Sequence, residues 1–188
     1  MTDTEETNES KIILDLCGGS GNWSAPYAEA GYDVRIVDRL NGDDVRAYTP
    51  PDNVHGILAA PPCTEFSVSG ARWWAEKPPH LLQEAIEIAE SCVRIIKETV
   101  PVWWALENPV GRLKNYIGPW RYTFQPWEYG DRETKRTCIW GDHKQPTKTP
   151  VAGPYKARVH LLPPSPERSA LRSLTPAGFA RAFKEANP

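Results

Sequence analysis

Polar residues hold the first stretch of the chain, 1–10, and the pattern then turns sharply apolar. Residues 11–16 (KIILDL) form a short hydrophobic run ending in Asp15 and Leu16, the pattern of a central parallel strand buried on both faces. Gly18, Gly19 and Gly21 follow at once. Residues 22–30 then read as a helix stopped by Gly31, and residues 32–37 as a second strand that runs into the acidic Asp38. This is a β-turn-α-β unit with a glycine-rich first turn. Residues 54–60 form another buried strand, which leads into Pro61-Pro62-Cys63. The clearest helix covers 80–100: Leu82, Ala85, Ile86, Ala89, Cys92, Val93, Ile96 and Val100 recur at three- and four-residue steps, and Pro101 ends the run. Residues 102–106 predict a further strand, followed by Glu107-Asn108-Pro109. Beyond it come short β-like pieces at 122–124 and 137–140. Residues 142–168 hold six prolines and no sustained period. Thr175-Pro176 opens a last short helix with Phe179, Ala182 and Phe183 on one face. Strands alternating with helices predict an α/β fold: a mostly parallel sheet flanked by helices, with a loop-rich C-terminal part and no internal repeat.

Composition narrows this picture. A chain of 188 residues is enough for one domain with a substantial core. A hydrophobic content of 40% and a mean hydropathy of -0.54 fit a soluble globular protein. No apolar run approaches the roughly 20 residues that span a bilayer. Residues 1–10 lack the basic and apolar regions of a secretory signal and read as a short disordered tail. The cysteines at 17, 63, 92 and 138 form no CxxC pair, which argues against a zinc site or a disulfide framework. A cytoplasmic protein without a metal or a membrane partner is expected. The net charge of -2 conceals an asymmetry: residues 1–94 hold 7 Lys/Arg against 16 Asp/Glu, and residues 95–188 hold 15 against 8. An anionic partner for the C-terminal half is one reading; ordinary solvated charge is the other.

Three places carry candidate chemistry. The turn Asp15-Leu16-Cys17-Gly18-Gly19-Ser20-Gly21 lets backbone approach a ligand closely at a strand-helix junction. Asp38, about 20 residues on, stands where an acid accepts hydrogen bonds from ribose hydroxyls. Together they predict a nucleoside-containing cofactor, either NAD or S-adenosylmethionine. Cys63 follows two prolines at a strand end, where the chain must leave the sheet and where ligands sit in open α/β sheets. By itself it reads equally well as a small buried hydrophobe. Glu107 also falls at the end of a predicted strand. A carboxylate buried there needs a purpose. A thiol and a carboxyl beside a nucleoside cofactor suit methylation of a pyrimidine carbon. Thiolate attack at C6 turns the unreactive ring into an enamine, and a carboxyl bonded to N3 and the exocyclic amine steadies that adduct.

In this order the motifs resemble those of the DNA cytosine-C5 methyltransferases, in a compact form similar to variants in phage genomes. The likeness runs over 11–180. Asp15 to Gly21 resembles the first cofactor motif, with Cys17 where an aromatic residue is usual. Pro61-Pro62-Cys63 with Phe66-Ser67 resembles the nucleophile loop. Glu107-Asn108-Pro109 resembles the glutamate motif, usually Glu-Asn-Val. Tyr129-Gly130 through Lys135-Arg136 and Trp140-Gly141 resembles the basic motif that grips the substrate, and Arg172-Ser173-Leu174-Thr175-Pro176 the motif after target recognition. The resemblance implies a Rossmann-like S-adenosylmethionine-dependent methyltransferase fold. It implies a cofactor site of Asp15, Cys17, Gly18, Gly19, Gly21, Asn22, Trp23, Asp38, Asp44 and Pro61, with Asp44 near the adenine, and S-adenosylhomocysteine as product. It implies catalysis by Cys63 and Glu107, with Lys135 and Arg136 holding phosphates of DNA and Arg112, Lys114 and Arg132 as further candidates.

The implied organisation is a tail over 1–10, a catalytic domain over 11–141, a reduced target-recognition segment over 142–170, and a C-terminal helix over 171–188 packed on the domain. Thr64 stands where glutamine is common, and the segment after Gly141 is far shorter than the family's recognition domain. That opens three alternatives: a non-enzymatic regulator that binds cofactor or DNA, an enzyme of single-stranded or non-specific DNA, and one that draws specificity from a partner. An amino-group methyltransferase would normally carry an aromatic residue at the place of Cys63. The Trp73-Trp74 and Trp103-Trp104 pairs read as packing, with base stacking as the alternative, and Cys17, Cys92 and Cys138 also read as packing residues.

Overall fold

The structure, a computed structural model, describes residues 7–157, 165 and 168–188. Six strands form one sheet: β1 (Ile12–Leu16), β2 (Asp33–Val37), β3 (Val54–Ala59), β4 (Trp103–Pro109), β5 (Tyr122–Phe124) and β6 (Thr137–Asp142), in the order β2-β1-β3-β4-β6-β5. The first four run parallel, and β6 and β5 add antiparallel pairs. The α/β, mostly parallel architecture is the one the alternation predicts. The helices are α1 (Ala25–Glu29), α2 (Pro79–Thr99), α3 (Lys114–Ile117), α4 (Arg168–Ser173) and α5 (Ala177–Ala186). Among the described residues no helix is long and apolar enough to cross a membrane.

The sheet is covered on both faces because its strands are apolar at successive positions, which point to opposite sides. Leu14, Leu16, Ile57, Ala59 and Leu106 meet the apolar stripe of α2 (Ala85, Ile88, Ala89, Cys92, Ile95 and Ile96). Ile13, Leu58, Trp103, Ala105 and Ile139 meet Tyr27 of α1 and Phe179 and Phe183 of α5. Phe124 stacks on Phe179 with ring centroids 3.8 Å apart, so the last helix is held by the last strands. Trp103 is buried in this second layer, as its packing reading expects.

Three elements depart from the sequence pattern. α1 is shorter than 22–30, because Cys17, Gly19 and Gly21 adopt positive φ and the chain spends residues 18–24 in turns. β4 continues past Leu106 through Pro109, because β6 pairs Glu107 with Ile139, Asn108 with Cys138 and Pro109 with Thr137. α4 begins at Arg168, the last residue of the stretch that lacks a sustained period, where no separate helix is expected. Asn8–Ser10 form a 3-10 turn, and the Asn8 amide donates to the Ala30 carbonyl at 2.9 Å. The rest of the expected tail and part of the 142–170 segment lie outside the described residues.

The sheet turns on β1: the chain leaves β1 for β2 on one side and for β3 on the other. Such a switch point opens a crevice at the carboxyl ends of the strands. At the opposite, amino end of the strands the core is tight at Gly56 in β3, where a Cβ would stand 2.2 Å from the Trp103 ring. Gly56→Ala forces a buried indole out of place. We expect it to lower the free energy of unfolding by about 2 kcal/mol or more in urea titration, whereas an unchanged midpoint would show that the layer accommodates the methyl group.

Candidate functional site

Above the switch point lies a cavity of about 970 Å³ lined from several elements. Its floor is the glycine turn after β1. Asp15 is fully buried, and the Ser24 hydroxyl donates to its Oδ2 at 2.6 Å. Burial pushes the Asp15 carboxyl up to about 7; the Ser24 bond only partly opposes this, and the nearby Asp38 charge adds to it. A Cβ on Gly18 would lie 2.4 Å from that carboxyl, so the turn has room there for glycine alone. Asp38 closes the turn from β2. Its Oδ2 accepts from Gly19 N–H and its Oδ1 from Leu40 N–H, both at 2.9 Å, which fixes the carboxylate and leaves each oxygen further accepting capacity. Asp15 Oδ1 and Trp23 Nε1 are buried polar atoms without a partner among the described residues.

Of the expected cofactor residues, Asp15, Cys17, Gly18, Gly19, Asn22, Trp23 and Pro61 line the cavity. Gly21, Asp38 and Asp44 do not. Gly21 shapes the turn from behind with its positive φ. Asp44 is engaged elsewhere: Arg46 Nη2 reaches it at 2.6 Å and Arg39 Nη2 at 3.3 Å. Hydrogen bonds from the Arg46 side chain and backbone hold its carboxyl well below the usual range. Trp23 packs edge-on against Phe183, so this indole belongs to the core as well as to the cavity wall.

Cys63 and Glu107 line the same cavity. The prolines carry the chain out of β3, and a turn returns at once, with Phe66 and Ser67 N–H bonded to the Cys63 carbonyl at 3.0 and 2.9 Å. Three contacts then fasten this loop to the end of β4 and the chain just beyond it. Asn108 Nδ2 donates to the Pro61 carbonyl at 2.8 Å. Val68 N–H bonds the Val110 carbonyl, and Arg112 N–H the Phe66 carbonyl, at 3.0 and 2.9 Å. A Cβ on Gly111 would meet the Phe66 oxygen at 1.8 Å, so the two backbones touch. Sequence reasoning passed over Asn108, although an amide beside a strand-end glutamate has to find a partner once buried.

Charge at the site is strongly unequal. Among the described lining residues five are cations (Arg72, Lys77, Lys135, Arg136 and Arg172) and two are acids (Asp15 and Glu107). Lys135 is anchored through its Nζ to the Leu174 carbonyl at 2.8 Å. Arg136 makes no hydrogen bond or ion pair among the described residues. Arg112, Lys114 and Arg132 stay outside the lining. Arg112 Nε instead donates to the Glu65 carbonyl at 2.8 Å, with its guanidinium 4.1 Å from the Trp74 ring centroid, and Lys114 lies over Trp120. Arg72 and Lys77 are cavity cations that the motif reading did not name, and Arg172, named only within the motif after target recognition, joins them. Only packing in space shows that they converge. Cys92 and Cys138 are fully buried in the core. Among the described residues no group of three or more His, Cys, Asp or Glu could hold a metal ion.

Burial pushes the Cys63 thiol up, the Glu107 charge adds to this, and Lys135 and Arg172 pull it back. Burial also raises the Glu107 carboxyl, against the pull of Lys135. Two results follow from these signs. Alkylation of Cys63 by iodoacetamide, read by peptide mass, should reach its half-maximal rate at lower pH in Glu107→Gln and at higher pH in Arg172→Met; unmoved profiles would mean that the three groups do not share a field. For Asp15 the folded protein holds a proton that the unfolded chain loses near 3.8, so stability falls as pH rises from about 4 to 7. Asp15→Asn should flatten this slope, which is roughly 1.4 kcal/mol for each tenfold fall in proton concentration inside that window. Unfolding titrations at several pH values between these limits read it directly.

Comparison with known proteins accords with this arrangement. The sequence profile of the family described as C-5 cytosine-specific DNA methylase matches residues 14–121, which include the glycine turn, Cys63 and Glu107. No curated protein sequence matches the chain. Among solved structures, the chain is similar to a protein described as a DNA modification methyltransferase encoded within a prophage (E. coli), with a TM-score of 0.50 and 18% identity over 70% of this chain. The chain spans 46% of that protein's length, and the likeness is one of fold.

Proposed function

Because the chain belongs to the C-5 cytosine-specific DNA methylase family, we propose that it methylates C5 of cytosine in DNA through a covalent adduct with Cys63. The observation that carries this reading is the meeting of Cys63 and Glu107, from the ends of β3 and β4, in one cavity ringed by cations. S-adenosylmethionine, when bound, supplies the electrophilic methyl group and leaves as S-adenosylhomocysteine. The glycine turn fits it: the unpartnered Asp15 Oδ1 and Trp23 Nε1 offer an acceptor and a donor, Asp38 stands ready at the turn, and no side chain at Gly18 intrudes. Pro61, held by Asn108, forms the wall between this turn and the nucleophile.

The cytosine has to leave its stack to reach a thiol this deep, at a cost of roughly a few kcal/mol in a duplex. Lys135, Arg136 and Arg172 supply the countercharge for its phosphates and for the thiolate. Cys63 Sγ loses its proton to water and bonds C6. The C5–C6 π pair shifts to C4–C5 as N3 takes a proton from Glu107, whose burial favours the protonated form. After C5 is methylated, water takes the C5 proton, the C5–C6 double bond is restored, Cys63 leaves as a thiolate, and N3 returns its proton to Glu107. Raised carboxyl and raised thiol are thus two faces of one burial: the first aids the step, and the cations offset the second.

Incubation with S-adenosylmethionine and DNA containing 5-fluorocytosine tests this directly. The fluorine cannot leave as a proton does, so the adduct accumulates and migrates as a denaturant-stable band. Cys63→Ala should abolish the band, and Glu107→Gln should slow its formation by about a hundredfold to ten-thousandfold, the range of general acid catalysis. A band that survives Cys63→Ala, or no band from a wild-type protein that binds the cofactor, would falsify the reading.

A further inference from the structure

Two adjacent indoles, Trp73 and Trp74, take opposite situations beside the cavity. Trp74 is an anchor: its Nε1 is buried, and the Arg112 guanidinium lies 4.1 Å from its ring centroid while bonding the Glu65 carbonyl of the nucleophile loop. Trp73 is 48% exposed, yet it lines the Cys63 cavity. Of the large exposed hydrophobic side chains among the described residues, only Trp73 and Val68 line that cavity, and both sit on the 3-10 turn Val68–Trp73. The turn is braced. The Ser67 hydroxyl accepts from Ser69 N–H, and Arg172 Nη2 reaches Ser69 Oγ at 3.4 Å. The Arg72 guanidinium lies over the Trp73 ring, 4.9 Å from its centroid.

We infer that Trp73 is a stacking platform for the base next to the target cytosine. The inference rests on the proposed reading of the site and names one further substrate contact. A rigidly held, half-exposed indole needs a flat apolar partner, and the cations on the same wall require that partner to be anionic. A nucleobase on its phosphate chain has both properties. Stacking is available once extraction of the cytosine has broken the stack beside it, and Arg72 contributes its charge on the same ring. Because every base has a π-face, the contact supports binding without selecting sequence.

The test measures anisotropy of a fluorescent single-stranded oligonucleotide with one cytosine, intact or with an abasic tetrahydrofuran at the 5′ or the 3′ neighbour. Loss of the stacked base should weaken wild-type binding by about tenfold at one of the two positions, a size typical of base–aromatic stacking. Trp73→Ala should bind the intact strand about tenfold more weakly and no longer sense the abasic position, whereas Trp73→Phe should keep most of the affinity and the sensitivity. Equal abasic penalties in wild type and Trp73→Ala, or a wild type indifferent to both positions, overturn the platform. Methyl transfer by the wild type is measured in parallel. Its absence strikes the reading of the site, whereas the platform stands or falls on anisotropy alone.

Discussion

A single side-chain hydrogen bond, from Asn108 Nδ2 to the Pro61 carbonyl, joins the ends of β3 and β4 at 2.8 Å. The site depends on this joint. Pro61 has left the sheet and pairs with no strand, so nothing in the ladder fixes where Cys63 falls. Glu107, one residue before the amide, is held in register by β6. The Asn108 bond therefore transfers the register of the sheet to a loop that the sheet does not contain. The backbone contacts of Phe66 and Val68 with residues 110–112 repeat the constraint further along, and the absence of a Cβ at Gly111 permits them. Positioning two reacting groups from two strand ends costs little when the scaffold is already rigid, and this is how a site gains geometry without a long ordered loop.

Burial sets the chemistry that this geometry can perform. Burial raises both the Cys63 thiol and the Glu107 carboxyl. One shift favours a proton donor and the other handicaps a nucleophile. Lys135 acts on both groups and Arg172 on the thiol, so the cations restore part of what burial takes away. Their charge comes from the C-terminal half of the chain, where Lys and Arg outnumber Asp and Glu. The asymmetry along the sequence is thus partly an asymmetry in space: the acidic half supplies Cys63 and the glycine turn, and the basic half supplies Lys135, Arg136 and Arg172 beside Arg72 and Lys77 from the first half.

Much of this was legible in the sequence because short apolar runs and glycine or proline breaks report the backbone directly. The strands β1 to β4, the long α2 and the convergence of Cys63 with Glu107 follow from where apolar periods stop. Other features depend on partners distant in sequence and leave no local mark. β4 runs on through Asn108 because β6, some 30 residues later, pairs with it. Asp44 has the spacing of a cofactor ligand, yet Arg39 and Arg46 engage it, and the distant Glu84 of α2 holds Arg39 in place. Trp73 and Trp74 are indistinguishable as a pair of letters, and only the position of Arg112 tells which is fixed and which faces the cavity.

The kind of contact available at the site bears on how a substrate is chosen. Cations that meet phosphate position a nucleic acid but carry no sequence information, and stacking tolerates any base. Discrimination has to come from groups that meet a base edge, and within the described cavity the acid set at the β4 end is Glu107. A carboxyl that donates to N3 and accepts from an exocyclic amine selects the base that enters, not its neighbours. Reading of neighbours requires side chains directed at further base edges, which a floor built by β1, β3 and β4 does not supply. The sheet therefore determines which bond is made. Any preference for sequence around it has to be set outside the sheet.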